Sequence, residues 1–309
     1  METADVEAVH TPVLLEETLR ALAPRAGGET MIDATLGEGG HSYAFLSRFS
    51  TLNIIGIDAD QEMLARARER LARFKDRISY YSGWSEDFFA EGTASYDTIL
   101  IDLGISLYHY EKSARGFSFL KDEFLDMRID TSRGRTAAEL IASLSEKELA
   151  DIIYRYGDER RSRAIARAVA AERRNAPIRS SAVLADIVRR AAGGKYSRLH
   201  PATRTFQALR IYVNRELEQL PALLKSALAA LGKGGRLGVI SFHSGEDREV
   251  KHAFKDALNA DTEKGRLRLL TKKPVSAGEE ERRGNPPSRS AKLRVIERSC
   301  DFGDFGASA

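Results

Sequence analysis

The stretch "TMIDATLGEGGHS" (Thr30–Ser42) decides how this chain is read. An apolar run ends in an acid, Asp33. A glycine-rich turn follows, with Gly37, Gly39 and Gly40, and a helical segment opens after it. Such a turn joins a buried strand to a helix in nucleotide-binding α/β folds. Glycines let the backbone come close to a ligand with no Cβ in the way.

The chemistry of the turn narrows the ligand. A dinucleotide loop would read G-x-G-x-x-G, but the order here is Gly37-Glu38-Gly39-Gly40-His41. Glu38 inside the turn is ill suited to a pyrophosphate, and no P-loop lysine follows. The residues favour a ligand with a ribose and a positive charge but no phosphate. S-adenosylmethionine fits, because its sulfonium and ammonium groups welcome carboxylates.

Working outward, strand-like and helix-like segments alternate. "LNIIGIDAD" is a second strand ending at Asp58, and "QEMLARARERLARF" a helix after it. "RISYYSG" and "YDTILIDLG" are two more strands. The order predicts an open, mostly parallel, doubly wound sheet with helices on both faces. From about Glu111 to Arg204 helical stretches dominate, which predicts an inserted helical domain over 111–204 between sheet-forming parts 1–110 and 205–309. "NRELEQLPALLKSALAAL" reads as a helix kinked or divided at Pro221 and ended by Gly232, Gly234 and Gly235. "RLGVISFHS", "RLRLLTK" and "AKLRVIER" are further strands.

Asp58 lies 21 residues after Gly37, where such folds receive ribose hydroxyls on a paired acceptor. The alternative is a tight turn with Asp58 as a helix N-cap. Asp102 ends another apolar strand, so Asp33, Asp58 and Asp102 either ring one crevice or cap separate helices. His243 stands at the end of "VISFHS", as a structural or a reactive histidine. In "HPATRTFQALRIYVN", His200, Thr203, Arg204, Gln207 and Asn214 share a helix face, either a cleft wall or a solvated surface.

Composition sets outer bounds. A 309-residue chain with 42% hydrophobic residues can bury a sizeable core. A net charge of +3 permits nucleic acid without demanding it. The single cysteine, Cys300, excludes an intrachain disulfide and a cysteine-based zinc site, so a reducing cytoplasm is expected and no metal. No apolar run reaches membrane-spanning length, and the acidic start METADVEAVH lacks a signal-peptide pattern.

Eight pieces, in order, resemble the bacterial 16S rRNA cytosine-N4 methyltransferases. They are "HTPVLLEE" (His10–Glu17), "DATLGEGGHS", "DLGIS" (Asp102–Ser106), "RGFSF" (Arg115–Phe119), "LDMRID" (Leu125–Asp130), "HPATRTFQALRIYVN" (His200–Asn214), "SFHSGEDR" (Ser241–Arg248) and "NPPSRSAKLRVIER" (Asn285–Arg298). The resemblance implies a class I (Rossmann-like) methyltransferase fold with a helical insertion for substrate recognition. It implies S-adenosylmethionine as donor, and as acceptor a cytosine in the decoding region of 16S rRNA within the small ribosomal subunit. Cofactor contacts carry over to Gly39, Gly40, His41, Asp58 and Asp102, and Asp33 and Gly37 join them from the crevice. Trp84 stands where the family has phenylalanine and can stack on adenine. His109 replaces the glutamine expected at the cofactor. Leu107, Tyr108 and Gly245 also depart from the family's serine, proline and leucine.

The implied reaction is an in-line displacement in which the cytosine N4 attacks the sulfonium methyl. Asp102 is the expected acceptor for the amine, Ser106 an orienting group, and His243 a proton acceptor or base-edge contact. RNA also needs phosphate contacts, for which Arg155, Arg160, Arg161, Arg163, Arg167, Arg173 and Arg174 are candidates. The tail adds Arg282, Arg283, Arg289, Lys292, Arg294 and Arg298. Rival readings are a DNA amino-methyltransferase, disfavoured because "DLGIS" lacks an Asn/Asp-Pro-Pro-aromatic motif, a non-catalytic RNA-binding protein, and a nicotinamide dehydrogenase. Oligomeric state is left open, a homodimer included.

Overall fold

A computed structural model describes residues 11–92, 94–193, 200–261 and 267–299. His10 of the first motif and Cys300 lie outside them. The chain divides into two compact units, Met1–Ile105 with Gln219–Ala309, and Ser106–Glu218.

The first unit is built on a seven-stranded sheet of order β3-β2-β1-β4-β5-β7-β6. The strands are β1 (Thr30–Asp33), β2 (Asn53–Asp58), β3 (Ile78–Ser82), β4 (Tyr96–Asp102), β5 (Leu231–Ser241), β6 (Leu267–Leu269) and β7 (Lys292–Arg298). The first five are parallel where they pair, and β7 runs antiparallel to both β5 and β6. This is the expected open, mostly parallel, doubly wound sheet. Its central strands read as apolar runs because both faces are covered: Ile99, Leu100 and Ile101 of β4 are fully buried. Leu36, Phe45, Leu64 and Leu71 pack with Leu100, Ile240 and Leu293 in one core.

The helices of this unit are α1 (Leu15–Ala21), α2 (Gly40–Arg48), α3 (Gln61–Arg70) and α4 (Ser85–Glu91). The second unit is helical, with α5 (Leu107–Glu111), α6 (Ala137–Ser143), α7 (Glu146–Gly157), α8 (Ser162–Glu172), α9 (Ser181–Ala191) and α10 (Thr203–Val213). Then α11 (Glu216–Ala229), α12 (Ser244–Ala260) and α13 (Glu279–Gly284) complete the α-helices among the described residues. Thr136 and Ser145 each form a capping box, with Glu139 and Glu148, and so begin α6 and α7 separately.

Two local expectations are corrected. Pro221 does not divide α11, which runs on to Ala229. Lying in the second turn, it leaves the Leu217 carbonyl without its i+4 donor, and the helix continues regardless. The glycines at 232, 234 and 235 do not stop the helix either. They lie inside β5, where the register against β4 shifts between Tyr96 and Thr98. A Cβ at Gly235 would come within 2.8 Å of the Tyr96 carbonyl, so the bulge demands glycine there.

Candidate active site at the sheet's switch point

β1 and β4 are neighbours in the sheet although two strands separate them in sequence. The chain turns outward in opposite directions from this pair, which opens a crevice at the strands' carboxyl ends. Asp33 ends β1 and Asp102 ends β4, one on each side of it. Asp58 ends β2, and His243 follows β5.

Asp58 is tied to the glycine turn. Its Oδ2 accepts the backbone N–H of Gly37 at 2.8 Å, and its Oδ1 accepts that of Asp60 at 2.8 Å. The helix cap is Asp60, whose carboxylate accepts the N–H of Glu62 at 2.9 Å. The capping alternative for Asp58 is thus two residues off.

The three glycines answer different needs. A Cβ on Gly39 would lie 2.7 Å from Leu71, and one on Gly40 2.6 Å from Pro12, whereas one on Gly37 meets nothing within 4 Å. Gly37 and Gly39 also hold left-handed backbone, with φ of +52° and +74°. Left-handed backbone alone explains Gly37, whose Cβ position is open space. Packing of the turn on α3 and on the segment before α1 explains the other two.

Asp33 is buried and accepts the Ser42 hydroxyl at 2.6 Å. Burial raises its pKa to about 6, against the hydrogen bonds from Ser42 and the Thr35 backbone and with a push from Asp58. Asp102 lies well above the usual carboxylate range, first through burial, then through the charges of Asp33 and Glu246. Its N–H donates to Thr35 Oγ1 at 2.6 Å. Its Oδ1 is buried with no hydrogen-bond partner among the described residues, and its Oδ2 is 3.5 Å from His41 Nδ1.

His243 is the N-cap of α12. Its Nδ1 accepts the Glu246 N–H at 3.3 Å, and Glu246 Oε2 accepts the N–H of Phe242 at 2.7 Å. His243 Nε2 is 3.1 Å from Glu246 Oε1. Trp84 is the extended residue that precedes α4. Ser106 and His109 belong to the second unit. Ser106 caps α5 by accepting the Tyr108 N–H at 3.1 Å, and the buried His109 packs edge-on against Phe117, 5.3 Å between centroids. Thr35, Ser42 and Glu246 were not singled out from sequence. Glu246 was within reach, since His243-Ser-Gly-Glu has the spacing of a capping box.

Four carboxyls gathered at one switch point repel phosphate and suit a cationic ligand. The description that matches over residues 7–299 is "MraW methylase family". The chain belongs to the MraW methylase family. A curated relative from Treponema denticola, "Ribosomal RNA small subunit methyltransferase H", is 48% identical, covering 96% of this chain and 99% of that one. A protein of the same name from Sorangium cellulosum is 48% identical over 94% of this chain and 90% of its own.

In this MraW family member the charge is divided by unit. Residues 106–218 carry 22 Lys and Arg against 15 Asp and Glu, a net +7, so the remainder carries −4 of the total +3. Several arginines expected to be available are spent internally. Arg161 and Arg173 donate to the carbonyls of Ala192 and Ile141, and Arg167 lies 3.7 Å from Glu146. Arg160, Arg163 and Arg174 are exposed, with no ion pair or side-chain hydrogen bond among the described residues. In the tail, Lys292 and Arg294 both bind Asp247, at 3.0 and 2.8 Å, and are not free for phosphate.

The polar stripe along α10 is mixed: His200 and Arg204 are exposed, Thr203 and Gln207 half-buried. Asn214 is buried, donates to the Met127 carbonyl at 2.8 Å and accepts the Ile129 N–H at 2.7 Å. His200 stacks on Phe119 at 4.5 Å, and Arg204 donates to the Asp158 carbonyl. Among the described residues no cluster of three or more His, Cys, Asp or Glu could hold a metal, and no helix is long and apolar enough to cross a membrane.

Proposed function

We propose that this protein methylates the N4 amine of a cytosine in the decoding region of 16S rRNA, with S-adenosylmethionine as donor. The observation that carries the reading is Asp102: a buried carboxyl at the switch point whose Oδ1 has no donor among the described residues. An unsatisfied buried acceptor costs about 1–3 kcal/mol, a cost that an incoming donor removes.

When bound, S-adenosylmethionine supplies a methyl group activated by a sulfonium. Asp33 provides negative charge for its cationic groups, and Asp58 accepts its ribose hydroxyls. Trp84 offers a ring for adenine, and Gly37, Gly39, Gly40 and His41 form the turn beneath it. The exocyclic amine of cytosine is a weak nucleophile, because its lone pair is delocalised into the ring. Asp102 accepts its hydrogens and stabilises the positive charge that develops on nitrogen. Ser106 orients the amine, and His243 sets the end of β5 beside it. The base must leave its stack to enter such a pocket.

The positive second unit supplies phosphate contacts through Arg160, Arg163 and Arg174, and serves as the substrate-recognition domain. The protein would act on small subunits in the cytoplasm. Incubation with S-adenosylmethionine and small subunits lacking the modification, followed by nuclease digestion and mass spectrometry, tests the reading. Methyl on N4 of one 16S cytosine is the expected result. Methyl on another base or on none, with cofactor bound, would overturn it.

A further inference from the structure

His41 is held at both ring nitrogens. The ring is buried, its Nε2 is 3.2 Å from the Val13 carbonyl oxygen, and its Nδ1 is 3.5 Å from Asp102 Oδ2. A carbonyl oxygen only accepts, so Nε2 carries a hydrogen. Nδ1 and Oδ2 then face each other with one proton needed between them. Without it, a lone pair would meet a negative oxygen.

The segment that supplies the Val13 carbonyl is itself clamped. Glu281 Oε1 accepts the Leu14 N–H at 2.8 Å, and Asn285 Nδ2 donates to the Thr11 carbonyl at 3.0 Å. Pro12 sits so close above Gly40 that no Cβ fits between them. Leu14 holds φ at +54°, a conformation that needs such support in a branched residue. The sequence pieces around Thr11–Leu14 and Asn285, which the methyl-transfer chemistry leaves without a task, thus converge on one imidazole.

We propose that His41 is a positioning residue for Asp102: fixed by the Val13 carbonyl, its ring shares one proton with Asp102 Oδ2, and movement of that proton onto Nδ1 leaves Asp102 ionised as an amine arrives. The role in catalysis rests on the methyl-transfer reading above; the proton sharing does not. As the amine nitrogen gains its methyl group and positive charge, its N–H bond breaks toward an Asp102 oxygen. The pair then holds two protons and returns one to solvent. The other titratable groups around it are Asp33 on β1, Asp58 on β2, Glu246 on α12 and Arg70 on α3, whose guanidinium lies 3.5 Å from the Cβ position of Gly40.

The first test uses the ligand-free, 15N-labelled protein. The ring signals of His41 are assigned by their loss in His41→Gln. Between about pH 6 and about pH 8, Nε2 is expected to bear a proton and Nδ1 to resonate between the protonated and bare extremes. Asp102→Asn should move Nδ1 to the bare extreme. A bare Nε2, or an Nδ1 signal indifferent to Asp102→Asn, overturns the proposal. The second test compares methyl transfer by wild type and His41→Gln across pH. A kcat about 100-fold lower with a displaced pH profile, measured at saturating S-adenosylmethionine, is expected. An unchanged kcat and profile overturns it. Ring signals as expected without any methyl transfer by wild type would condemn the functional reading and support the proton-sharing pair.

Discussion

The carboxylate of Asp58 accepts the backbone N–H of Gly37 at 2.8 Å and so fastens the end of β2 to the turn after β1. The same group holds Asp60. Hydrogen bonds to a charged group contribute about 1.5–3 kcal/mol each. Asp58→Ala should therefore loosen the turn and weaken S-adenosylmethionine binding at least ~10-fold by calorimetry. Asp58→Asn, which keeps an acceptor, should lose less. Wild-type affinity in the alanine variant would remove Asp58 from the site.

The two left-handed glycines of the turn should separate by cost. Alanine at either position strains the backbone by about 1 kcal/mol. Only Gly39→Ala must also displace Leu71. Urea denaturation should show a loss of about 1 kcal/mol for Gly37→Ala and about 2–4 kcal/mol for Gly39→Ala. Equal losses would contradict the packing argument.

Asp33 gives a pH signature. Its pKa rises from 3.8 to about 6 on folding, so the folded state binds the proton more tightly. Stability from this group is greatest below the unfolded value and falls as pH climbs from about 4 through about 6. The full difference is roughly 3 kcal/mol. Relative to wild type, Asp33→Asn should gain stability across that window and keep the gain at pH ~7. A difference that is flat with pH would show that the carboxyl is not raised by folding.

Salt should distinguish free from spent cations. Replacing Arg160, Arg163 and Arg174 together by alanine should weaken binding to small subunits and lower the log–log salt slope by about 2–3. Lys292→Ala should leave the slope unchanged and lower the melting temperature, because Asp247 loses a partner. The carboxyl of Asp247, though partly buried, is held below its usual range by Arg294 and Lys292. A slope insensitive to the triple change would exclude α8 and its flanks from the RNA interface.

Much of the sheet was legible because a parallel strand buried on both faces is an apolar run with an abrupt polar end. "ILID" and "MID" announce both β4 and β1 and the acids that finish them. The start of α7 was also readable in Ser145-Glu-Lys-Glu, although the longer stretch from Thr136 reads as one helix without it. Pairings fixed only by distant partners were not readable. Lys292 and Arg294 look like free tail cations until β7 brings them to Asp247, 45 residues away for the lysine. Asn214 looks like a surface amide until Met127 and Ile129 meet it from 87 and 85 residues away. Asp58 and Asp60 are equally placed to cap α3 by sequence, and backbone direction alone decides between them.

The bond between Leu14 and Glu281 spans 267 residues of chain. It imposes an order in time. During synthesis the glycine turn and all three strand-end acids emerge early, and β1 to β4 can assemble around them. The carbonyl that orients His41 cannot be secured until α13 has left the exit tunnel. β7, the strand that joins β5 to β6, comes later still. A nascent chain therefore carries the acids long before it carries a finished site. An enzyme for which the small ribosomal subunit is the proposed target thus secures its site only after most of its sheet has been made.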